Sequence, residues 1–460
     1  MLRRYIGDRA FYRRVFAIAI PIIIQNGITN FVSLLDNIMV GRVGTLQMSG
    51  VSIVNNLIFV FTLCIFGASS GAGIFTAQYH GCGDHENVRH TFRFKLICSV
   101  LIAALGVSVF LSLGRPLIGL YLKGEGDPAE AALTLEHGLA YLRVMLWGLL
   151  PFALSNAYSG TLRECGQTRV PMVAGICAVF VNLGLNYVLI FGHFGAPALG
   201  VRGAALATVI SRYVELGIVA TWTQCHGKEH PFIRGAFRSL RIPSSLLSDI
   251  LLKGSPLLVN EFLWACSMAV MNQCYSTCGL NVVPAMNISS TMYNLGSVVY
   301  IAMGSAVGII MGQMLGANQP EDAVRDSNRK LITAGVISGV VFGGLMAATA
   351  GAFPLLYNTE PQVRQLATRL ILTSALFLPV NSYTHATYFT LRSGGQTMVT
   401  FLFDSCFQWL LCVPLAFCLR RFTAISIIPL YFICQGTDLL KSVLGFIMLK
   451  QGKWINNLTK

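Results

Sequence analysis

The chain is expected to be an all-α integral membrane protein, with twelve transmembrane helices in two six-helix lobes related by an internal parallel repeat. Three observations predict this. Hydrophobic residues make up 54% of 460 and charged residues only 11%, which is too apolar for a soluble domain. About twelve runs of ~20 apolar residues, the length that crosses a bilayer, can be placed along the chain. Finally, the first half returns in the second. Thr161-Leu162-Arg163-Glu164-Cys165-Gly166-Gln167-Thr168 matches Thr390-Leu391-Arg392-Ser393-Gly394-Gly395-Gln396-Thr397 at six of eight positions. Gln78-x-x-Gly81 matches Gln313-x-x-Gly316, and Pro21 matches Pro256. Such duplication is common in transporter folds.

In chain order the runs fall at 15–39, 50–77, 95–113, 136–158, 170–191 and 203–223, then 250–276, 283–311, 331–350, 366–389, 398–419 and 424–448. Inside a bilayer no water satisfies backbone groups, so these runs must be helical despite Pro21, Pro151 and Pro256, where kinks are expected. Six crossings per half give both halves one orientation, hence a parallel repeat about an axis near the membrane normal. The expected division is an N-terminal lobe at 1–225, a polar and basic cytoplasmic linker at 226–249 with Pro231 and Pro243, and a C-terminal lobe at 250–460.

Lysine and arginine set the orientation. The side shared with the N-terminus carries Arg3, Arg4, Arg9, Arg13 and Arg14, then Arg89, Arg93, Lys95, Arg163, Arg169 and the Lys228–Lys253 cluster. It continues through Arg325, Arg329, Lys330, Arg392, Lys450, Lys453 and Lys460, for 22 in all. The opposite side has seven: Arg42, Arg115, Lys123, Arg202, Arg364, Arg420 and Arg421. Both termini should therefore face the cytoplasm across the inner membrane. The net charge of +14 reads as this face of the membrane and its lipid. A nucleic-acid patch would need basic runs interleaved with aromatics on a soluble surface. The first segment runs past signal-peptide length without a small-residue cleavage site and should be retained as an anchor.

Catalysis finds no foothold. The thirteen cysteines lie mostly inside apolar runs and read as small buried hydrophobes, without metal spacing. His85-Glu86-Asn87-Val88-Arg89-His90 resembles a zinc-hydrolase signature, but its histidines are five apart and do not stack on one helical face, so it reads as a solvated cytoplasmic loop. Neither an enzyme, a resident metal, an organic cofactor nor an obligatory protein partner is expected. Two bundles that rock about a shared interface can expose a central cavity to each side in turn, which requires no catalytic group.

The repeat also separates residues that folding alone explains from those it does not, because a purely structural side chain should have a similar counterpart 235 positions on in the early helices or 229 on in the later ones. Asp36 corresponds to Met271, Asn182 to Leu411 and Asn186 to Leu415. In the first segment Gln25, Asn26, Thr29, Ser33 and Asp36 fall within about a third of the circumference, a polar stripe in lipid. Asn182 and Asn186 share a face one turn apart. At ~1.5 Å rise per residue, Asp36 lies roughly 30 Å and Asn186 roughly 24 Å from the cytoplasmic starts of their helices. A carboxylate at such depth must face water or a partner, and marks a coupling-ion site. In the second half Glu261 replaces Asn26 near the midplane and shares a face with Met268 and Asn272, a lining suited to a cationic, partly apolar substrate. Asp404 stands opposite Gly175. Arg212 with Glu215 and Asp438 with Lys441, each three apart, read as local ion pairs.

These residues carry a resemblance. The Pro21 helix, Leu35-Asp36-Asn37-Ile38-Met39-Val40-Gly41-Arg42-Val43-Gly44, the Gln-x-x-Gly pair, the repeated Leu-Arg-x-x-Gly-Gln-Thr element and Asn182-x-x-x-Asn186-Tyr187-Val188-Leu189-Ile190-Phe191-Gly192 resemble the multidrug and toxic compound extrusion (MATE) family over nearly the whole chain. The resemblance implies export of organic, often cationic, compounds in exchange for entering protons or sodium ions. Asp36 matches the family's coupling aspartate, Asn182 its asparagine on the fifth helix, and Thr208 a coupling position on the sixth. The chain departs from the family at Asn186, where some members have an aspartate, and at Asn381, where a sodium-coupled branch has an acid. Two relatives in function stay open: a flippase of lipid-linked precursors, which would need a strongly cationic cavity, and a dedicated exporter of one metabolite.

Overall fold

A computed structural model describes residues 5–122, 127–423 and 425–460. Arg3, Arg4 and Lys123, counted above, and Ala424, the start of the last run, lie outside the described residues. Among the described residues there is no strand, and twelve long helices carry the chain. They are α1 Arg9–Gly41, α2 Thr45–Cys82, α3 His85–Tyr121, α4 Pro128–Glu164, α5 Arg169–Phe191 and α6 Val201–Cys225. The second set is α7 Ser244–Ser276, α8 Val282–Gly316, α9 Glu321–Thr349, α10 Pro361–Ser393, α11 Thr397–Phe422 and α12 Ile427–Gln451. Eleven are long and apolar enough to cross a membrane. The one outside that set is α7, whose 33 residues include Asp249, Lys253, Asn260 and Glu261.

The repeat holds to the residue. Helices α1 and α7 are displaced by 235 positions at both ends, and each carries its proline at the same register, Pro21 and Pro256. The chain forms two compact units. One comprises Ile24–Thr76 and His85–Asp249, and the other Met1–Ile23, Ala77–Asp84 and Ile250–Lys460. Helix α1 thus changes unit two residues after Pro21, a residue with no backbone N–H to give.

In the first unit α4 packs on α3 and α6, and α5 on α6, around Val54, Phe61, Ile65, Leu142, Leu149 and Val209. In the second, α10 packs on α8, α9 and α12. There Val15, Ile18 and Ile22 of α1 join Met303, Ile310, Leu331 and Trp454 in one core.

Both repeated motifs have structural causes. A Cβ on Gly316 would collide with the Gln78 carbonyl and one on Gly81 with the Gln313 carbonyl, so the Gln-x-x-Gly pair marks a reciprocal close crossing of α2 and α8. Gln78 also clasps the C-terminal tail, donating to Ser393 O (2.8 Å) and Asn456 O (3.2 Å) and accepting from Leu458 N (2.7 Å). In the octapeptide, Gly166 and Gly395 take left-handed φ values of 83° and 75°. Gln167 N and Gln396 N then bond back to Leu162 O and Leu391 O, the Schellman closure of α4 and α10.

Three expectations are corrected. The His85–His90 string is the first two turns of α3 rather than a loop. Lys95 and Arg93 are not loop charges, because α3 begins earlier than the apolar run and buries both. Lys95 pairs with Glu164 and donates to Thr161 Oγ1 at 3.3 Å. All thirteen cysteines are free; Cys165, Cys412 and Cys434 are buried, whereas Cys82, Cys225 and Cys418, at or near helix ends, are exposed.

Candidate functional site

The polar stripe on α1 lines a single cavity of about 270 Å³ within the first unit. Gln25, Asn26, Thr29, Ser33 and Asp36 face it from α1, Ser155, Asn156, Ser159 and Arg163 from α4, Asn182 from α5, and Thr208, Arg212 and Glu215 from α6. Helical periodicity places the α1 residues on one face, and Pro21 lies one turn below the first of them.

Asp36 is the anchor. Asn186 Nδ2 donates to its Oδ1 at 2.6 Å. With its NH2 toward the acid, the Asn182 amide donates to both Asp36 oxygens at 3.0 Å and accepts from Thr208 Oγ1 at 3.2 Å. Asn182 and Asn186 are buried, and among the described residues the buried Asn186 Oδ1 has no hydrogen-bond partner. All four residues expected to form the ion site therefore converge, on α1, α5 and α6. Two amide N–H groups thus meet one carboxylate, with the Thr208 hydroxyl behind, a set of single negative charge that suits a proton or a hard monovalent cation better than a softer metal. No cluster of three or more His, Cys, Asp or Glu side chains occurs among the described residues.

Two cationic groups join this cavity. Arg163, from the octapeptide, donates to Gln25 Oε1 at 2.7 Å, and Gly175 keeps a Cβ away from that glutamine. Arg212 pairs with Glu215 at 3.2 Å, as its spacing predicted, and stands over the Phe152 ring at 4.9 Å. The cavity thus holds two acids and two bases, not acids alone. The arginines escaped the comparison of repeats because Arg163 has Arg392 as its counterpart and Arg212 has Lys441.

The remaining expected residues lie in the second unit. Glu261 and Met268 are half-buried and Asn272 is exposed on α7. Among the described residues Glu261 makes no ion pair or hydrogen bond. Asp404 is engaged on both sides, by Lys441 Nζ at 2.6 Å and Asn260 Nδ2 at 3.1 Å. Lys441 therefore pairs with Asp404 and not with its near neighbour Asp438. Asp404 sits in the first of two π turns of α11, Leu402–Cys406 and Gln408–Cys412; next to it, Ser405 N–H and Oγ reach Asn260 Oδ1 at 3.2 and 2.7 Å. Asn260, 2% exposed, organises this knot. Because its counterpart Gln25 is also an amide, no departure between repeats marks it.

A family model described as MatE matches residues 21–188 and 256–418. The probable multidrug resistance protein NorM of Thermotoga maritima is 24% identical over 451 residues, covering 96% of this chain and 93% of that protein. The probable multidrug resistance protein YoeA of Bacillus subtilis is 24% identical over 431 residues, covering 91% and 89%. Among solved structures, an outward-facing multidrug resistance MATE family transporter of the MOP superfamily superposes with a TM-score of 0.85 at 19% identity, 98% of each chain being covered. At that identity the likeness shows the fold.

Proposed function

This chain belongs to the MatE family and is a multi-pass membrane transporter, not an enzyme, and we propose that it works as an antiporter that exports organic compounds, many of them cationic, by alternating access while a proton or sodium ion moves inward. The observation that carries this reading is the Asp36 constellation, an acid held by Asn182 and Asn186, with Thr208 behind, beside a cavity. An unpaired acid inside a membrane helix is costly and is retained where an ion is handled. One monovalent cation entering across 100 mV releases about 2.3 kcal/mol, enough for a gradient of roughly fifty-fold in an exchange of matching charge. A single acid is enough.

Proton or sodium binding at Asp36 competes with, or is linked to, substrate in the cavity lined by Gln25, Asn26, Thr29 and Ser33. On the second unit, Asp404 is already engaged by Lys441, so the acid free to meet a cationic substrate is Glu261, with Met268 and Asn272 beside it. The naming of the relatives as probable multidrug resistance proteins supports a broad substrate range, and the lysine and arginine asymmetry supports cytoplasmic termini at an inner membrane. The test is efflux of a fluorescent organic cation from proteoliposomes under a sodium gradient alone and a pH gradient alone. Drive by one of the two is expected and names the ion; efflux indifferent to both would remove the antiport reading.

A further inference from the structure

The connection from α6 to α7 carries a basic recess. Pro231–Ile233 forms a single 3-10 turn after α6, and Phe232, Ile233 and Ala236 are buried beneath the loop. Two arginines of α3 fix its backbone from below. Arg89 donates to Phe232 O at 3.3 Å and Pro231 O at 3.4 Å. Arg93 donates to Ala236 O and Gly235 O, both at 2.8 Å, and to Arg241 O at 3.2 Å. With its carbonyls consumed there, the loop presents its cations on the other face.

That face is a recess of about 570 Å³ whose lining includes Lys228, Arg234, Arg238, Phe237, Gln224 and Gly227. Among the described residues none of the three cations has an acidic partner. Burial holds the neighbouring His230 imidazole below its usual range, so at neutral pH the charge comes from these three. Phe237 and Leu240 are 56% and 63% exposed where one apolar helix ends at Cys225 and another long helix begins at Ser244. A soluble anion would have no use for them, whereas a membrane surface would bury both rings and chains.

We propose that this recess binds the phosphodiester headgroup of an anionic phospholipid, with Arg234, Arg238 and Lys228 around the phosphate and Phe237 and Leu240 seated among the acyl chains. Arginine forks match phosphate oxygens bidentately, and basic clusters beside membrane helices draw anionic lipid at about 1 kcal/mol per residue. The proposal rests on the cytoplasmic placement of this connection given above.

The experiment titrates detergent-solubilised protein with dioleoylphosphatidylglycerol or dioleoylphosphatidylcholine and counts bound lipid by native mass spectrometry, with an added inorganic phosphate arm. The anionic lipid should bind preferentially. Each of Arg234→Gln and Arg238→Gln should weaken it about fivefold, the equivalent of ~1 kcal/mol, while Arg421→Gln leaves it unchanged. Both arginines are exposed, and unaltered gel-filtration profiles would show that the variants fold. Equal binding of the two lipids, no change in either Arg234→Gln or Arg238→Gln, or displacement by inorganic phosphate at concentrations comparable to the lipid would overturn the proposal. Sidedness does not enter this measurement, so its failure leaves the transport reading intact.

Discussion

At the scale of single residues, the chain separates carboxylates by what holds them. Asp36 is met by neutral amides, which leave its charge available, whereas Asp404 is met by an ammonium, which neutralises it. Replacing Lys441 by Met should therefore destabilise the protein by about 3–5 kcal/mol, since an acid is left buried without its partner. The double change Lys441→Met with Asp404→Leu should recover most of that loss, read as thermal unfolding in detergent. At the proposed ion site, Asn182→Ala and Thr208→Val remove donors without removing charge, and should raise the ion concentration for half-maximal efflux by tenfold or more. Unchanged ion dependence in both would remove Asn182 and Thr208 from the site. These roles were partly legible. Asp36, Asn182 and Asn186 stand out because folding alone would have left similar residues in the second half. Asn260 and Arg163 do not stand out, since each has a polar counterpart and only geometry distinguishes a cavity wall from a packing contact.

At the scale of elements, the repeated motifs explain themselves through backbone. Gly166 and Gly395 end α4 and α10 in left-handed conformations, so Ala at either position should cost about 1–2 kcal/mol and lower the unfolding temperature. Ala at Gly316 should do more damage, because its Cβ meets the Gln78 carbonyl of a crossing helix, which can relieve the clash only by moving. Yield and unfolding temperature of the two classes of variant would rank them. A Gly316→Ala protein as stable as the parent would mean that α2 and α8 do not cross there. Helix lengths were readable from apolar runs only at their cores, because α3 extends ten residues upstream into charged sequence whose Arg93 and Lys95 are buried through their own partners. The π turns of α11 leave no signature in composition, and the first of them holds Ser405 against Asn260 of another helix, a contact that only the fold brings about.

At the scale of the whole molecule, duplication supplies two matching frames, and divergence between them assigns the work. One frame keeps an acid beside amides and an open cavity, while the other has Met271, Leu411 and Leu415 at the matching positions and ties Asp404 into a knot with Asn260 and Lys441. Under the proposed antiport reading, ion coupling belongs to the first frame, through Asp36. The twelve-helix repeat was visible in sequence because offsets of 235 and 229 survive in motif after motif, whereas the split of α1 between units was not, since the helix runs unbroken from Arg9 to Gly41 across that boundary. The most direct measurement compares wild-type protein and Asp36→Asn in proteoliposomes. Efflux driven by an imposed ion gradient is read beside gradient-free exchange of labelled substrate. The variant is expected to lose gradient-driven efflux by at least tenfold while substrate exchange persists; efflux that still follows the gradient at the wild-type rate would contradict ion coupling through Asp36.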